Sequence, residues 1–418
     1  MLIQLGKRCL RVAACVASIA SAHAADLPPV KLALIEGMSG PFANAGAMVE
    51  RNVRFGVERV NEKGGVKLAD GMHPLQLVVL DGKGSSEASL VQLRAAIDEK
   101  IGFVMQGNSS GVAAIDKQNA REPDKRVLFL NYSADDPALT NASCSFWHFR
   151  FDAHAGMRMD ALADALQSDR AVKKVYLLNQ DYSFGHDVSR ETQRALKEKR
   201  PDIAIASDEF HPIGRVKDFA PYIAKIRASG ADAIITGNWG NDLTLLVKAA
   251  REQGLDTKFY TFYGNSLGAP AVLGDAGVKR VIAVADWHSN AGGAASDAYY
   301  PRVSGAVSGG IGRLSGRPHA ADDRNARRRD DARSADPLAV ARALEGMTFD
   351  GEKFHAMTLR ADDHQVIQPL YVMEMDRAGT PGVRLDNEGS GYGFRTLLAL
   401  SADKTAQPTT CRMTRPAR

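Results

Sequence analysis

The sequence lacks the patterns that accompany several common catalytic sites. It has no phosphate-binding loop and no His-Glu-x-x-His helix. His148 and His154 are an even number of residues apart and could share one face of a strand, but no third ligand at metal-like spacing supports a metal site there. Serine, histidine and aspartate are plentiful, but the presence of these common residues alone does not support catalysis. We therefore predict no catalytic residues, no metal and no cofactor.

Long apolar runs are also scarce. Beyond the N-terminus, no run approaches the roughly 20 apolar residues that a membrane span requires. At the N-terminus, Arg8 and Arg11 precede an apolar run that ends in Ala22-His23-Ala24, which is typical of a secretory signal. We expect residues 1–24 to be this signal and the mature protein to be soluble and periplasmic. A lipoprotein box ending at Cys15 is the alternative.

Cysteine is rare and the net charge is small. The signal carries three basic and no acidic residues, so its removal lowers the formal charge from +4 to about +1, which does not favour nucleic acid as a partner. Of the four cysteines, Cys9 and Cys15 leave with the signal. Cys144 and Cys411 remain in an oxidising compartment, and we expect them to form a disulfide; two free thiols are the alternative.

The chain, at 418 residues, is too long for a single core, so two domains are expected. Apolar runs at 103–106 and 127–131 are separated by a polar helical segment, which predicts a βαβ unit. Polar loops follow both strands, and ligands collect beyond the carboxyl ends of parallel strands. Ser109 and Ser110 would begin a helix whose N-terminus favours an anion, and Ser133 to Asp135 would lie beside them.

A second series of strands and helices begins after Cys144. Its strands, at 174–178, 203–210, 233–236 and 258–262, alternate with helical segments. Tyr182, Trp239 and Tyr263 lie in the loops that follow three of these strands. The pattern predicts an α/β fold of two doubly wound parallel-sheet lobes whose loops face a shared cleft.

Several motifs, taken in order, resemble the type I periplasmic solute-binding proteins of ABC transporters, in particular the Leu/Ile/Val-binding family. The motifs are Gly37-Met38-Ser39-Gly40-Pro41, Val60-Asn61-Glu62-Lys63-Gly64-Gly65-Val66, Gly107-Asn108-Ser109-Ser110, Pro137-Ala138-Leu139-Thr140, Asp181-Tyr182-Ser183-Phe184-Gly185 and Ser229-Gly230-Ala231-Asp232-Ala233. The resemblance covers about residues 28–300 and resumes at 336–373. It implies a hinge of three crossovers, near 144–151, 287–290 and 349–354, and closure around a ligand.

The same resemblance implies the division of the chain and its partners. Lobe one would comprise 25–146 and 290–350, lobe two 147–289 and 351–400, and residues 401–418 would form a tail. The expected partners are a small amino acid or amide and a membrane ABC permease, and the protein is expected to be monomeric. A ligand-sensing or amide- or urea-binding protein of this fold is the alternative, and a secreted enzyme is a further one.

The resemblance also implies a ligand site, whose predicted residues are Ser39, Ser109, Ser110, Ser133, Ala134, Asp135, Tyr182, Trp239 and Tyr263. An acidic residue of the family that often pairs with the ligand's ammonium falls at Tyr263, where no acid is present. We therefore expect Asp135 to supply the negative charge from lobe one; a plain turn-forming role is the alternative. Helix capping is the alternative for Ser109 and Ser110, and it is the favoured role for Asp136.

Residues 303–335 depart from this pattern. Between Arg317 and Ala335 no apolar residue is larger than alanine or proline, and five arginines crowd into 324–333. Such a segment cannot cover a lobe face, so we expect it to be disordered. A pair of compensating frameshifts would explain it, and a solvated insertion loop is the alternative.

Overall fold

The computed structural model describes residues 27–122, 125–266, 268–292, 333–350 and 356–417. The predicted signal peptide, the lipoprotein alternative at Cys15 and residues 303–332 of the unusual segment lie outside these ranges. Residues 333–335 of that segment are described, and the Arg333 carbonyl accepts a hydrogen bond from the Ala69 amide at 3.0 Å.

The elements alternate as the sequence predicts. The strands are β1 Val30–Glu36, β2 Val66–Lys67, β3 Met72–His73, β4 Leu75–Asp81, β5 Phe103–Gln106, β6 Leu128–Asn131, β7 His148–Arg150, β8 Lys174–Gln180, β9 Ala204–His211, β10 Ala233–Thr236, β11 Lys258–Thr261, β12 Val281–Ala285, β13 Thr348–Asp350, β14 Ala356–Leu359, β15 Val366–Ile367, β16 Leu370–Arg377 and β17 Tyr392–Leu400. The helices are α1 Ala43–Glu62, α2 Ser86–Asp98, α3 Ser109–Arg121, α4 Ala155–Ser168, α5 Ser183–Lys199, α6 Ala220–Ser229, α7 Gly240–Glu252, α8 Ala269–Leu273, α9 Pro337–Leu344 and α10 Ala402–Thr405. None of the helices within the described ranges is long and apolar enough to cross a membrane.

The first lobe is built on a five-stranded parallel sheet in the order β4-β1-β5-β6-β7. Strand β1 is an interior strand, and its side chains alternate between two cores. Leu32 and Leu34 enter one core, whereas Ala33 and Ile35 enter the other. A sheet covered on both faces buries continuous apolar strands, which explains why the sequence shows apolar runs here rather than alternation.

The second lobe is built on a seven-stranded sheet in the order β17-β16-β12-β11-β10-β8-β9. Strands β8 to β12 run parallel, and β16 and β17 are added antiparallel at one edge. Successive residues of β8 again enter opposite cores, as Leu177 and Leu178 show. The predicted fold of two doubly wound lobes is confirmed, with an antiparallel edge that the sequence pattern did not indicate.

The chain passes between the lobes three times, after β7, after β12 and after β15. Two of these passages differ from the predicted boundaries. Strand β7 pairs with β6 in the first sheet, although the resemblance predicts that residues from 147 onward belong to lobe two. Met357, Leu359 and Val366 share a core with Leu34 of lobe one, so the third passage follows Ile367 rather than residues 349–354. Residues 351–355 lie outside the description.

A buried arginine joins segments of lobe one that lead into the passages between the lobes. Arg150 is fully buried, and its Nε donates to Gln365 Oε1 at 2.7 Å. Its Nη1 donates to the carbonyls of Ala134 at 3.2 Å and Asp136 at 2.6 Å. Because a buried guanidinium needs all of these acceptors, Arg150 fixes the position of the loop that follows β6.

The predicted disulfide between Cys144 and Cys411 is present. It attaches the C-terminal tail to lobe one, where the Thr410 amide also donates to Asn141 Oδ1 at 3.0 Å. Further along, Arg415 Nε donates to Glu345 Oε1 at 2.8 Å. The tail therefore runs along lobe one from the cysteine onward.

Candidate functional site

A cavity of about 650 Å³ lies between the two lobes. Its lining comes from loops at the carboxyl ends of β1, β5 and β6 in lobe one and of β8, β10 and β11 in lobe two. This is the position at which parallel sheets bind ligands. The volume falls within the range of small-molecule sites.

Aromatic side chains form much of the cavity wall. They are Phe42, Tyr132, Phe151, Tyr182, Phe184, Trp239, Phe262, Tyr263 and Trp287. The rings of Phe42 in lobe one and Trp239 in lobe two approach each other with centroids 5.2 Å apart. Trp239 Nε1 donates to the Tyr182 hydroxyl at 2.8 Å, which fixes both rings. The wall therefore offers large apolar faces to a ligand.

Polar contacts also join the lobes. The hydroxyls of Ser110 and Ser183 are 3.0 Å apart. The Tyr263 hydroxyl, from lobe two, lies 2.8 Å from Asp135 Oδ2 and 3.4 Å from the Ser133 carbonyl. The lobes thus lie in a closed arrangement with the cavity between them.

Asp135 is engaged within the protein. It is only 1% exposed, and besides Tyr263 it lies 3.3 Å from Arg158 Nε. Burial raises the pKa of Asp135 to about 7, although the charge of Arg158 opposes this rise. Arg158 also donates from Nη2 to Asp152 Oδ2 at 2.7 Å. Asp135 is not among the residues that line the cavity, so its position does not favour the ligand-binding role expected from the sequence.

The other predicted site residues divide into two groups. Ser133, Tyr182, Trp239 and Tyr263 line the cavity, whereas Ser39, Ser110 and Ala134 do not. Ser39 is exposed, and its hydroxyl hydrogen-bonds Asp81, lowering the pKa of that carboxyl. Ala134 is fully buried. The side chain of Ser109 lies outside what the structure describes.

Three helix caps explain part of the polar pattern in the loops that follow β5, β6 and β7. Helix α3 is capped by Asn108, whose Oδ1 accepts from the Gly111 amide at 3.0 Å. The cap is therefore not Ser109 or Ser110. Asp136 accepts from the Ala138 amide at 2.8 Å, which confirms its predicted capping role. His154 caps α4 by accepting from the Gly156 amide at 3.1 Å.

Sequence reasoning missed Glu36, the last residue of β1. Glu36 is partly buried and lines the cavity. Its Oε1 accepts hydrogen bonds from the Tyr132 hydroxyl and from the Gly107 amide, the latter at 3.2 Å. Its Oε2 accepts from the Gly37 amide at 3.2 Å. The sequence did contain an indication of this role. Ligands bind beyond the carboxyl ends of parallel strands, and Glu36 is an acidic residue at the carboxyl end of a buried strand.

Lobe two contributes a second polar patch. Gln180 lines the cavity, and its Nε2 donates to Asp242 Oδ2 at 2.8 Å. Asp242 accepts a further bond from the Gly214 amide at 2.8 Å. Within the described ranges, Gln180 Oε1 is buried and has no hydrogen-bond partner. Those ranges also contain no group of three or more His, Cys, Asp or Glu side chains arranged to hold a metal.

Two α/β lobes that close around an aromatic cavity define a protein that encloses a small ligand by hinge motion. Comparison with known proteins agrees with this class. A family model described as periplasmic binding protein matches residues 29–380. The Leu/Ile/Val-binding protein homolog 4 of Brucella abortus is 31% identical over 432 residues, covering 97% of this chain and 97% of that protein. The chain belongs to the periplasmic binding protein family.

Solved structures extend the similarity to three dimensions. The leucine-, isoleucine-, valine-, threonine- and alanine-binding protein of Brucella ovis, in a closed conformation, superposes with a TM-score of 0.76 at 28% identity. That match covers 93% of this chain and all of the other. An ABC-transporter solute-binding protein of Rhodopseudomonas palustris, solved with 3,4-dihydroxybenzoic acid, has a TM-score of 0.72 at 16% identity, covering 90% and 98% of the two chains. At that identity the similarity concerns the fold alone.

Proposed function

We propose that this protein is the extracytoplasmic solute-binding component of an ABC uptake system and that it binds a small amino acid with an apolar side chain. The observation that carries the proposal is the cavity between the lobes, which combines aromatic walls with polar groups at the strand ends. Aromatic faces suit an apolar side chain, and the polar ends suit a zwitterionic head. The names of the Brucella relatives support the same ligand class.

A second ligand class, the aromatic carboxylates, is favoured by one observation. Nine aromatic residues line the cavity, and an aromatic acid would stack against several of them. Solute-binding proteins of this fold from Rhodopseudomonas palustris were solved with hydroxybenzoates. An uncharged amide or urea is a third class that the polar patches could accommodate.

The closed arrangement suggests how the protein would work. A ligand that contacts both lobes stabilises the closed form, because those contacts are lost when the cleft opens. The closed protein would then present its ligand to a membrane permease. We propose periplasmic location after removal of residues 1–24, and N-terminal sequencing of the exported protein would test the cleavage before Ala25.

Calorimetry on the mature chain tests the proposed function. The panel would contain the twenty amino acids, their amides, urea, benzoate and 4-hydroxybenzoate. We expect an apolar amino acid to bind, and at 100 times its Kd to stabilise the fold by about 2.7 kcal/mol in thermal unfolding. Binding of hydroxybenzoates alone would support the second class, and binding of none of these compounds would refute the proposal.

The fate of the bound ligand separates a binding protein from an enzyme. Residues 107–111 and 264–268 both fit the spacing Gly-x-Ser-x-Gly, which also occurs in serine hydrolases. We expect a bound amino acid or amide to be recovered unchanged after prolonged incubation with the protein. Recovery of a hydrolysed product would require an enzymatic function instead.

A further inference from the structure

We infer that Glu36 of lobe one is the anionic group that recognises a positively charged amino group on the ligand. The site would then select ligands that carry an amine over the same molecules without it. This inference rests on the proposed function, because it assumes a ligand held in the cavity between the lobes. Glu36, rather than Asp135, would then supply the negative charge for the ligand's ammonium.

The position of Glu36 is set by an interior strand of the first sheet. Strand β1 lies between β4 and β5, with Ile35 beside Leu80 and Leu34 beside Met105. Glu36 is therefore held at the carboxyl edge where the cavity begins, and it lines that cavity. Two backbone amides, from Gly37 and Gly107, and the Tyr132 hydroxyl donate to its carboxylate. Three donors fix the direction of the group before a ligand arrives.

Glu36 has no cationic partner of its own among the residues the structure describes. All three of its hydrogen-bond donors are neutral, and no charged side chain contributes to the shift of its pKa, which burial raises. A carboxylate in such a site is stabilised when a cation approaches it. A ligand ammonium would supply that cation from the cavity.

Three other acidic side chains at or beside the cavity have hydrogen-bond or ion-pair partners within the protein. Asp152 lines the cavity but pairs with Arg158 at 2.7 Å. Asp242 accepts from Gln180 and from Gly214. Asp135 is buried between Tyr263 and Arg158. Glu36 differs from these three because it combines a partly exposed place on the cavity wall with neutral donors alone. Asp242 also accepts only from neutral donors, but it is 2% exposed.

Glu36→Gln tests the inference, because glutamine keeps the shape of the side chain and removes its charge. The probes are two matched pairs, L-leucine with 4-methylpentanoate and L-phenylalanine with 3-phenylpropanoate. We expect wild type to prefer the amino acid in at least one pair. In Glu36→Gln the amino acid should bind roughly 30-fold or more weakly, as when one partner of a buried charge pair is removed. The deaminated probe should bind no more weakly than to wild type.

Glu99→Gln is the matched control. Glu99 pairs with Lys31 at 3.6 Å, at the opposite end of β1 from Glu36. The substitution Glu99→Gln makes the same chemical change on the same lobe. The partner of Glu99, Lys31, lies five residues before Glu36 on β1, which at the rise of a strand is roughly 15 Å from the cavity. Both probes should bind this variant as they bind wild type. Thermal unfolding of all three proteins would show that each is folded.

The outcomes separate the two proposals. If wild type binds the amino acids and Glu36→Gln keeps the same preference for the amine, the inference is wrong and the proposed function stands. An equal loss for both members of a pair would show a structural role and would also overturn it. If wild type binds 4-hydroxybenzoate but none of the amine-bearing probes, the inference and the proposed function both fail.

Discussion

Replacement of Tyr263 by phenylalanine should shift the protein towards the open form. The Tyr263 hydroxyl of lobe two donates to Asp135 Oδ2 of lobe one at 2.8 Å. The change removes one oxygen and leaves the ring in the cavity wall. Since the two residues belong to different lobes, the lost bond weakens the closed arrangement specifically, while Arg158 still lies 3.3 Å from Asp135.

The size of the effect follows from the charge that Asp135 carries above pH 7, since burial raises the pKa of this carboxyl to about 7. A hydrogen bond to a charged group contributes about 1.5–3 kcal/mol, and each 1.4 kcal/mol changes an equilibrium tenfold. The closed population should therefore fall relative to the open one by roughly 10- to 150-fold. If the free protein is mostly open, the apparent Kd of a ligand should rise by the same factor, because only the closed form holds it tightly.

Scattering and calorimetry measure these two quantities, and Tyr260→Phe is the control. Tyr260 lies on β11 of the same lobe, and its hydroxyl bonds Asp169 Oδ2 at 3.1 Å within lobe two. The control loses a similar bond that does not cross the cleft, so its radius of gyration and Kd should match wild type. An unchanged radius and Kd in Tyr263→Phe, or an equal change in Tyr260→Phe, would refute the reasoning.

Three further predictions concern stability. Replacing Cys144 and Cys411 by serine opens a loop of 267 residues, and the chain-entropy model predicts a loss of up to about 5 kcal/mol; urea unfolding should show it, and no loss would contradict that model. Burial raises the pKa of Asp116 to about 8, so the folded state keeps a proton that the unfolded chain releases near pH 4, and stability falls as pH rises between these values. The stability of Asp116→Asn relative to wild type should therefore be greater at pH 8 than at pH 5, as measured by urea unfolding. The same difference between the two proteins at both pH values would count against this. A Cβ on Gly185, in the first turn of α5, would lie 1.9 Å from the Gln180 carbonyl oxygen. Gly185→Ala should therefore cost about 1–3 kcal/mol by overpacking, and an unchanged free energy of unfolding would contradict this.

The sequence by itself determined the repeating βα pattern and the order of the loops. Apolar runs identify strands because a doubly covered parallel sheet buries both faces of each strand. Leu128 to Asn131, for example, are all buried in β6. The disulfide was also predictable, because removal of the predicted signal would leave only two cysteines in an oxidising compartment. These inferences depend on local composition, which the fold does not change.

Lobe boundaries depended on tertiary packing. Strand β7 and residues 356–367 lie next to lobe-two segments in sequence, yet they pack on lobe one. Their apolar patterns would suit either core. Only the pairing of β7 with β6, and the bridge from Arg150 to Gln365, decides which lobe they join.

The partners of the charged groups were likewise decided by the tertiary structure. Asp135 stood in the expected loop, but Tyr263 lies 128 residues away in sequence and closes over it from the other lobe. Glu36 meets Gly107 and Tyr132 across 71 and 96 residues. Whether a carboxylate faces a ligand or an internal partner depends on strand order and on how the lobes close. A pattern read along the chain contains neither, because both arise from packing between segments that are distant in sequence.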